Sequence, residues 1–414
     1  VGAAITTNSG KNVLIGFSAG KAITSGSGST AIGYNALLSN TTGNSSTAIG
    51  KDALRTLNTS GSDVPEHNTA VGFEAGFSAT YGDKGTYLGS KAGSSVTTSS
   101  NNTFVGALAG TATTGASNTA VGAEALDTNV LGSESVAVGY QALFTSNVAD
   151  AKNVAIGSRA GRLTSTGLQN VFVGFASGGD NTTGSNNVAL GSGSLLSNTI
   201  GSNNISIGKA SLGTNVDGSK SIAIGELSLT TQDPSGAADM HNVAVGYKAG
   251  EAVTTGNQNT LIGNLSGDAV TTGSGNTAIG YNASFSNISA SNQTVIGNGA
   301  AGQGDNIVVI GNSSVTNINP GNLTIALGSD NKPYQDIFVS RNIKSSVNAS
   351  DVKFTQFDGN EVARIHDGGT NQNTGALNAV AHGFGFKMPI MSLSADGGDK
   401  TVDLSHTQTG CIIQ

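Results

Sequence analysis

The sequence predicts an all-β protein: a parallel β-solenoid of about 17 residues per rung, followed by a small β-rich tail. Three observations predict it. A four-residue unit (a β-branched residue, a small one, an aliphatic one and a glycine) recurs nineteen times between 13–16 and 325–328. Most intervals between the unit glycines are 17 residues, the exceptions being 16, 18, 22, 21 and 14. The residue before the glycine is Ile, Val or Leu in every copy, as at Ile15, Val71, Leu190 and Ile262. A disordered Gly/Ser/Asn-rich chain has no reason to keep such a column.

The unit opens on a β-branched residue, as at Val13, Thr30, Thr69, Val171 and Ile222. Residues two apart on a strand share a face, so this column and the aliphatic one are expected to form a single stripe inside the coil. Between them stands mostly Ala, as at Ala31, Ala70, Ala155 and Ala244, interrupted by Leu14, Tyr87, Phe104, Phe172, Leu261, Val295 and Val309. With the glycine it makes a small outer face, which the close approach of an identical chain would cover. Four residues before the glycine stands Asn in eleven copies, Asn68, Asn153 and Asn187 among them. Two readings of it stay open, a rung-to-rung amide ladder and a turn residue.

Three residues after the glycine Ala or Ser recurs, which predicts a second short strand, and stretches such as Thr254-Thr255-Gly256-Asn257 predict a turn-rich return loop. The second residue after the glycine runs Ser18, Asn35, Asp52, Glu74, Lys91, a freedom that predicts exposure. At about 4.8 Å per rung the repeat should span roughly 85 Å.

Charged residues are only 11%, and the net charge is −7. No basic surface for nucleic acid is expected, nor is membrane insertion, because no apolar run approaches the length of a membrane span. Cys411 stands alone, so no intrachain disulfide is possible. Since it begins at Val1, the chain reads as a segment of a longer protein. The density of charge rises towards the C-terminus, which places a boundary between a repeat region, 1–328, and a β-rich connector or shaft region, 329–414. Apolar alternation at 352–357 and 362–365 predicts strands in the tail.

The string Asn-Thr-Ala-Val-Gly followed by x-x-Ala-Gly at 68–76, and its counterpart at 242–250 with Val for Thr, resembles the head repeats of trimeric autotransporter adhesins of the YadA type. Related repeats resemble those of trimeric bacteriophage tail fibres. Over about 10–328 the resemblance implies a left-handed parallel β-roll assembled as a homotrimer. The period here is longer than in the adhesin heads, so a longer return loop is expected. No heptad stalk or membrane-anchor barrel is visible, and the segments 334–343 and 383–390 look like the connector and downstream strands of phage fibres. The resemblance implies a non-catalytic tail fibre on the virion surface. Its partners would be a host cell-surface glycan or protein receptor and other tail proteins. A bacterial cell-surface adhesin and a tailspike glycan depolymerase are the alternatives.

Candidate chemistry is sparse, and no catalytic, cofactor or metal set is expected. Gly16-Phe17-Ser18-Ala19-Gly20 matches the nucleophile-elbow string, but that elbow needs a strand-to-helix turn. Asp52 and Glu74 share a column on adjacent rungs, as a retaining glycosidase pair would require. His67 and His241 each close an enlarged loop, with Asp63 and Pro65 in one and Asp233 and Pro234 in the other. Both are read as surface loops, and no His pair has metal-ligand spacing. Phe17, Tyr34, Phe73, Tyr140, Phe175, Tyr247 and Tyr281 follow the unit glycine, a position for packing between subunits or stacking on sugars. An ice-binding Thr face is set aside because Thr is expected inside.

Overall fold

Each unit carries one three-residue strand and enough turn-forming residues to bring the chain back above its own start. The computed structural model describes residues 10–58 and 66–315, and the backbone of short strands beyond residue 327. Eighteen strands, from Val13–Ile15 to Val308–Ile310, form one continuous parallel sheet. Equivalent residues face each other: Val171 lies opposite Val188, Phe172 opposite Ala189 and Val173 opposite Leu190. The register survives the long loops, since Thr47–Ile49 still meets Thr69–Val71 and Ile222–Ile224 still meets Val243–Val245. Among the described residues no helix is long and apolar enough to cross a membrane.

The interior is the reverse of the sequence expectation. The middle residue of each strand points inward, while the β-branched and aliphatic columns point out. Ile49 and Leu88 are 36% and 45% exposed, whereas Ala48 and Tyr87 on the same strands are 0% and 1% exposed. Room decides the matter, not hydropathy. One rung encloses a lumen already shared by the Ala or Ser three residues after the glycine, such as Ala53 and Ser194, and by leucines such as Leu54 and Leu195 one residue later. Two branched side chains per rung would overfill a space that Ala fills at native packing density.

The large middle residues are therefore core residues, and glycine makes room for them. Where the middle residue is Ala, the fourth position after the glycine is often Leu, as with Ala48 and Leu54 or Ala189 and Leu195. Where it is Leu14, Tyr87, Phe104, Phe172 or Leu261, that position is Gly20, Gly93, Gly110, Gly178 or Gly267. A Cβ at Gly93 would stand 2.5 Å from Tyr87 Cδ1, and one at Gly267 2.6 Å from Leu261 Cδ2. The preceding rung yields too: a Cβ at Gly161 would meet Phe172 Cδ2 at 2.7 Å. The unit glycines are required for another reason. Gly174 has φ +132°, and a Cβ there would lie 2.6 Å from the Gly191 carbonyl oxygen.

The Asn column lies inside and joins rungs through the backbone. Asn187 Nδ2 donates to the Gly201 carbonyl at 2.9 Å, and its Oδ1 accepts the Asn204 backbone N–H at 2.9 Å. The same pair of bonds recurs at Asn68, Asn118, Asn204 and Asn259. Direct amide-to-amide bonds in this column occur at Asn153–Asn170 and Asn259–Asn276. The rung-tying reading thus holds, mostly through backbone groups, whereas the positive φ of a turn residue falls one position earlier, as at Asn101, Asn186 and Asn203.

The expected second strand is instead a run of turns. Residues such as Asn35 and Leu37 have positive φ, so this wall is kinked rather than extended. It still bonds from rung to rung, with the Leu37 N–H donating to the Ala53 carbonyl and the Asp52 N–H to the Tyr34 carbonyl. The second of the enlarged loops adds a short parallel pair, Gly218–Ser219 with Ala238–Asp239.

The chain divides into two compact units, Val1–Thr316 and Asn317–Gln414. In the second, Val352–Thr355 pairs antiparallel with Glu361–Ile365, which pairs with Leu377–Asn378, and Ser392–Ala395 pairs with Gly398–Thr401. Much of the predicted alternation falls on these strands. The connector motifs at 334–343 and 383–390, Asp63, Pro65, His366, His382, His406, Cys411 and residues 325–327 of the last unit lie outside the described residues.

Candidate interaction face

The outward face of the sheet is the most conspicuous chemical feature of the roll. Each strand offers it two side chains, a Thr, Val or Ile and an Ile, Val or Leu, and strict register stacks them into two unbroken columns. Neither column contains a charged residue. With seventeen strand spacings of about 4.8 Å and a width of about 10 Å, the stripe covers roughly 800 Å², the size of one side of a standard protein interface. Single exposed aliphatics are ordinary, but a contiguous patch of this extent is larger than most soluble monomers leave open. The Ala and Gly face, expected to meet an identical chain, lies partly within the roll and is not available for that.

A column of mixed aromatic, charged and small residues borders the stripe. The residue after the glycine is an exposed ring at Phe17, Tyr34, Phe73, Tyr140, Phe175, Tyr247 and Tyr281. Phe17 and Tyr34 stack on each other at 5.6 Å, Lys51 Nζ sits 5.4 Å from the centre of the Phe73 ring, and Lys248 Nζ 5.7 Å from that of Tyr247. The first two contacts join successive rungs, and the third lies within one rung. Ion pairs also join successive rungs: Lys209 to Glu226 at 3.4 Å, and Lys91 to Glu74 at 3.8 Å. The Glu251 carboxylate, 3.1 Å from Lys248, raises the pKa of that ammonium. An apolar centre with a polar rim is the usual anatomy of a protein–protein contact.

The candidate carboxylates Asp52 and Glu74 each have partners of their own. Asp52 and Glu74 stand on adjacent rungs, but Asp52 is buried rather than exposed and its Oδ1 accepts from Asn35 Nδ2 on the preceding rung at 3.0 Å. Glu74 pairs with Lys91 on the following rung. Each carboxylate is turned to a different neighbour. Ser18 sits at φ +58° in a turn, with no helix behind it. His67 and His241 are exposed, and both have positive φ in the column just before the Asn, where Lys84, Asn101 and Asn186 adopt it too. They are turn residues. The loop before His241 is held by Lys220 Nζ, 2.7 Å from Asp239 Oδ2, a hydrogen bond that lowers the Asp239 pKa. Among the described residues no group of three or more His, Cys, Asp or Glu is placed to hold a metal.

Two features escaped the sequence reading. Seven residues after the glycine lies another buried column, and in its middle stretch Asn198, Asn215 and Gln232 each donate a side-chain amide bond to the residue one rung before. The signal for it is the recurrent Asn-x-x-Gly spacing of 181–184, 198–201 and 215–218. The other is that Thr lies outside, which removes the ground on which an ice-binding face was dismissed. Each Thr still shares its strand with an aliphatic residue, so no Thr-x-Thr array forms.

Compared with protein-family models, with curated proteins and with solved structures, the chain matches none of them.

Proposed function

We propose that this chain is a non-catalytic structural fibre protein of a bacteriophage tail, assembled as a homotrimer that carries attachment to the host surface. The carrying observation is the uncharged stripe along the outward sheet, aliphatic in one column and Thr, Val or Ile in the other. A partner that covers it end to end must repeat at the strand spacing over some 80 Å, and another copy of the same chain does so. The three-fold count rests on the resemblance of the repeats at 68–76 and 242–250 to trimeric heads and fibres. Three rolls packed along their stripes make a stiff rod, because each rung is tied by ladder bonds to the next. Weak receptor contacts repeated over three chains gain avidity without a deep pocket.

The experiment is adsorption of the purified chain to bacterial cells and to their extracted surface polysaccharides, with the length of the glycan followed over time. Saturable binding that leaves glycan length unchanged is the expected result. Progressive shortening would move the assignment to the depolymerase. Absence of binding across a broad panel would remove the attachment role.

A further inference from the structure

Near-identical rungs create a problem for any homotypic assembly. Two copies shifted by one strand spacing would still bring aliphatic columns together along almost their full length. The register therefore needs a mark that does not repeat.

Such a mark lies in the first outward column. Thr fills it on six consecutive strands from Thr30 to Thr119. Val or Ile fills the next seven, from Val136 to Val243. Thr returns at Thr260, Thr277 and Thr294, and single valines, Val13 and Val308, stand at the two ends of the column. The alternation is in blocks, and the blocks are unequal. Val and Thr have nearly the same shape, so the roll itself has no need of the change, and the column is outside its core.

We infer that this Thr–Val–Thr block pattern sets the register and direction of the homotypic contact, an inference that rests on the proposed trimer. In register, and with chains parallel, every Thr level meets Thr and every Val or Ile level meets its like. Hydroxyls can then bond to one another across the interface, and the seven central levels close without a polar atom. A one-strand slip sets Thr119 against Val136 and Val243 against Thr260, and at the ends Val13 against Thr30 and Thr294 against Val308, which leaves hydroxyls facing methyl groups in a dry contact. An antiparallel arrangement fares worse, because flanks of six and three levels cannot be superimposed when one chain is reversed. The second column, Ile, Val or Leu throughout, supplies adhesion but no address.

The test uses the full chain carrying Cys411→Ser. Two single variants, Thr119→Cys and Val136→Cys, are mixed, refolded together and mildly oxidised. Disulfides between like positions are expected, with only traces of the mixed disulfide that joins position 119 of one chain to position 136 of another. The same pair of variants is then made in a chain whose other column threonines are all changed to Val. A second version changes Val13, Val136, Val154, Val171, Val188, Ile205, Ile222, Val243 and Val308 to Thr, sparing only the position that carries the thiol. Both uniform versions should still associate, with the mixed disulfide rising several-fold towards the yield of the like pairs. Mixed disulfides remaining at trace level in the uniform versions would overturn the register assignment while leaving the trimer intact. A chain with the native column that is monomeric by native mass would instead defeat the trimer reading.

Discussion

Phe172 and Gly178 share one volume: a Cβ at Gly178 would stand 2.5 Å from Phe172 Cδ1. The backbone is not the obstacle, since Leu195 occupies the equivalent place one rung on with φ +51°. Phe172→Ala should cost about 3–5 kcal/mol through the cavity it leaves. Gly178→Leu should also destabilise, by overpacking, while the double variant Phe172→Ala with Gly178→Leu recovers a large part of the loss. Because rungs open locally, hydrogen exchange of the strands Val154–Ile156 to Ile205–Ile207 is the appropriate measurement. Additive effects of the two single changes would contradict shared volume.

The unit glycines admit no such rescue. Gly174→Ala pushes a methyl group against the Gly191 carbonyl, and no flexible side chain can yield. Strain at its positive φ adds to this, about 1–3 kcal/mol before the clash is counted. The expected outcome is loss of protection on both neighbouring rungs and a lower melting temperature than for Gly178→Ala.

Asn187→Ala leaves the Asn204 N–H without its buried partner, while the Gly201 carbonyl keeps the bond from Asn198 Nδ2. The orphaned N–H costs about 1–3 kcal/mol, so a fall in melting temperature is expected. Asn187→Asp keeps the acceptor but loses the donor, and at neutral pH it should be no better than Ala. An unchanged melting temperature in either variant would show the column to be dispensable.

What could be read from the residues was the period, the strand and the rung-on-rung stacking, all carried by the spacing of glycines such as Gly174 and Gly191. Which face of the strand lay inside could not be read from hydropathy. Ile49 and Val71 are more apolar than Ala48 and Ala70, yet the narrow lumen selects for size. The paired exchange of Tyr87 with Gly93 and of Ala189 with Leu195 was the sequence record of that constraint, legible only once the two positions are known to share space. Ala53 and Ala75 recur like strand residues, so their spacing predicts a strand, whereas positive φ at Asp52 and Leu54 bends this wall into turns.

Two carboxylates should respond to acid in opposite senses. Asp305 accepts the Ser291 N–H at 2.9 Å and a Gln293 amide bond at 3.2 Å, which lower its pKa. Its contribution to stability is present above the ordinary carboxylate pKa and is lost as pH falls through the lowered value. Asp127 is raised chiefly by burial, with the Glu124 charge adding to it and a Thr111 hydrogen bond opposing it. Its contribution is present below the ordinary value and is lost as pH rises through the raised one. Asp305→Asn should therefore lower the melting temperature at neutral pH and converge with the parent in strong acid. Asp127→Asn should raise it at neutral pH and lose that advantage on acidification. Melting curves from pH 2 to 7 provide the check, and parallel pH profiles for parent and variants would contradict both assignments.

Buried Ser146 Oγ and Thr164 Oγ1 have no hydrogen-bond partner, although they share a column with the amide ladder from Asn181 to Gln232. Replacing them by Ala and Val should be neutral or stabilising, since no bond is lost. A clear loss of stability in the double variant, read by thermal melting, would contradict their being unpaired.

The central claim is that the outward aliphatic stripe is covered by copies of the same chain. Native mass measurement at micromolar concentration tests it most directly. A single species of three chains of 40.9 kDa each is expected, with Ile49→Lys and Ile156→Lys together releasing folded monomers. A monodisperse 40.9 kDa monomer of the parent chain would contradict it.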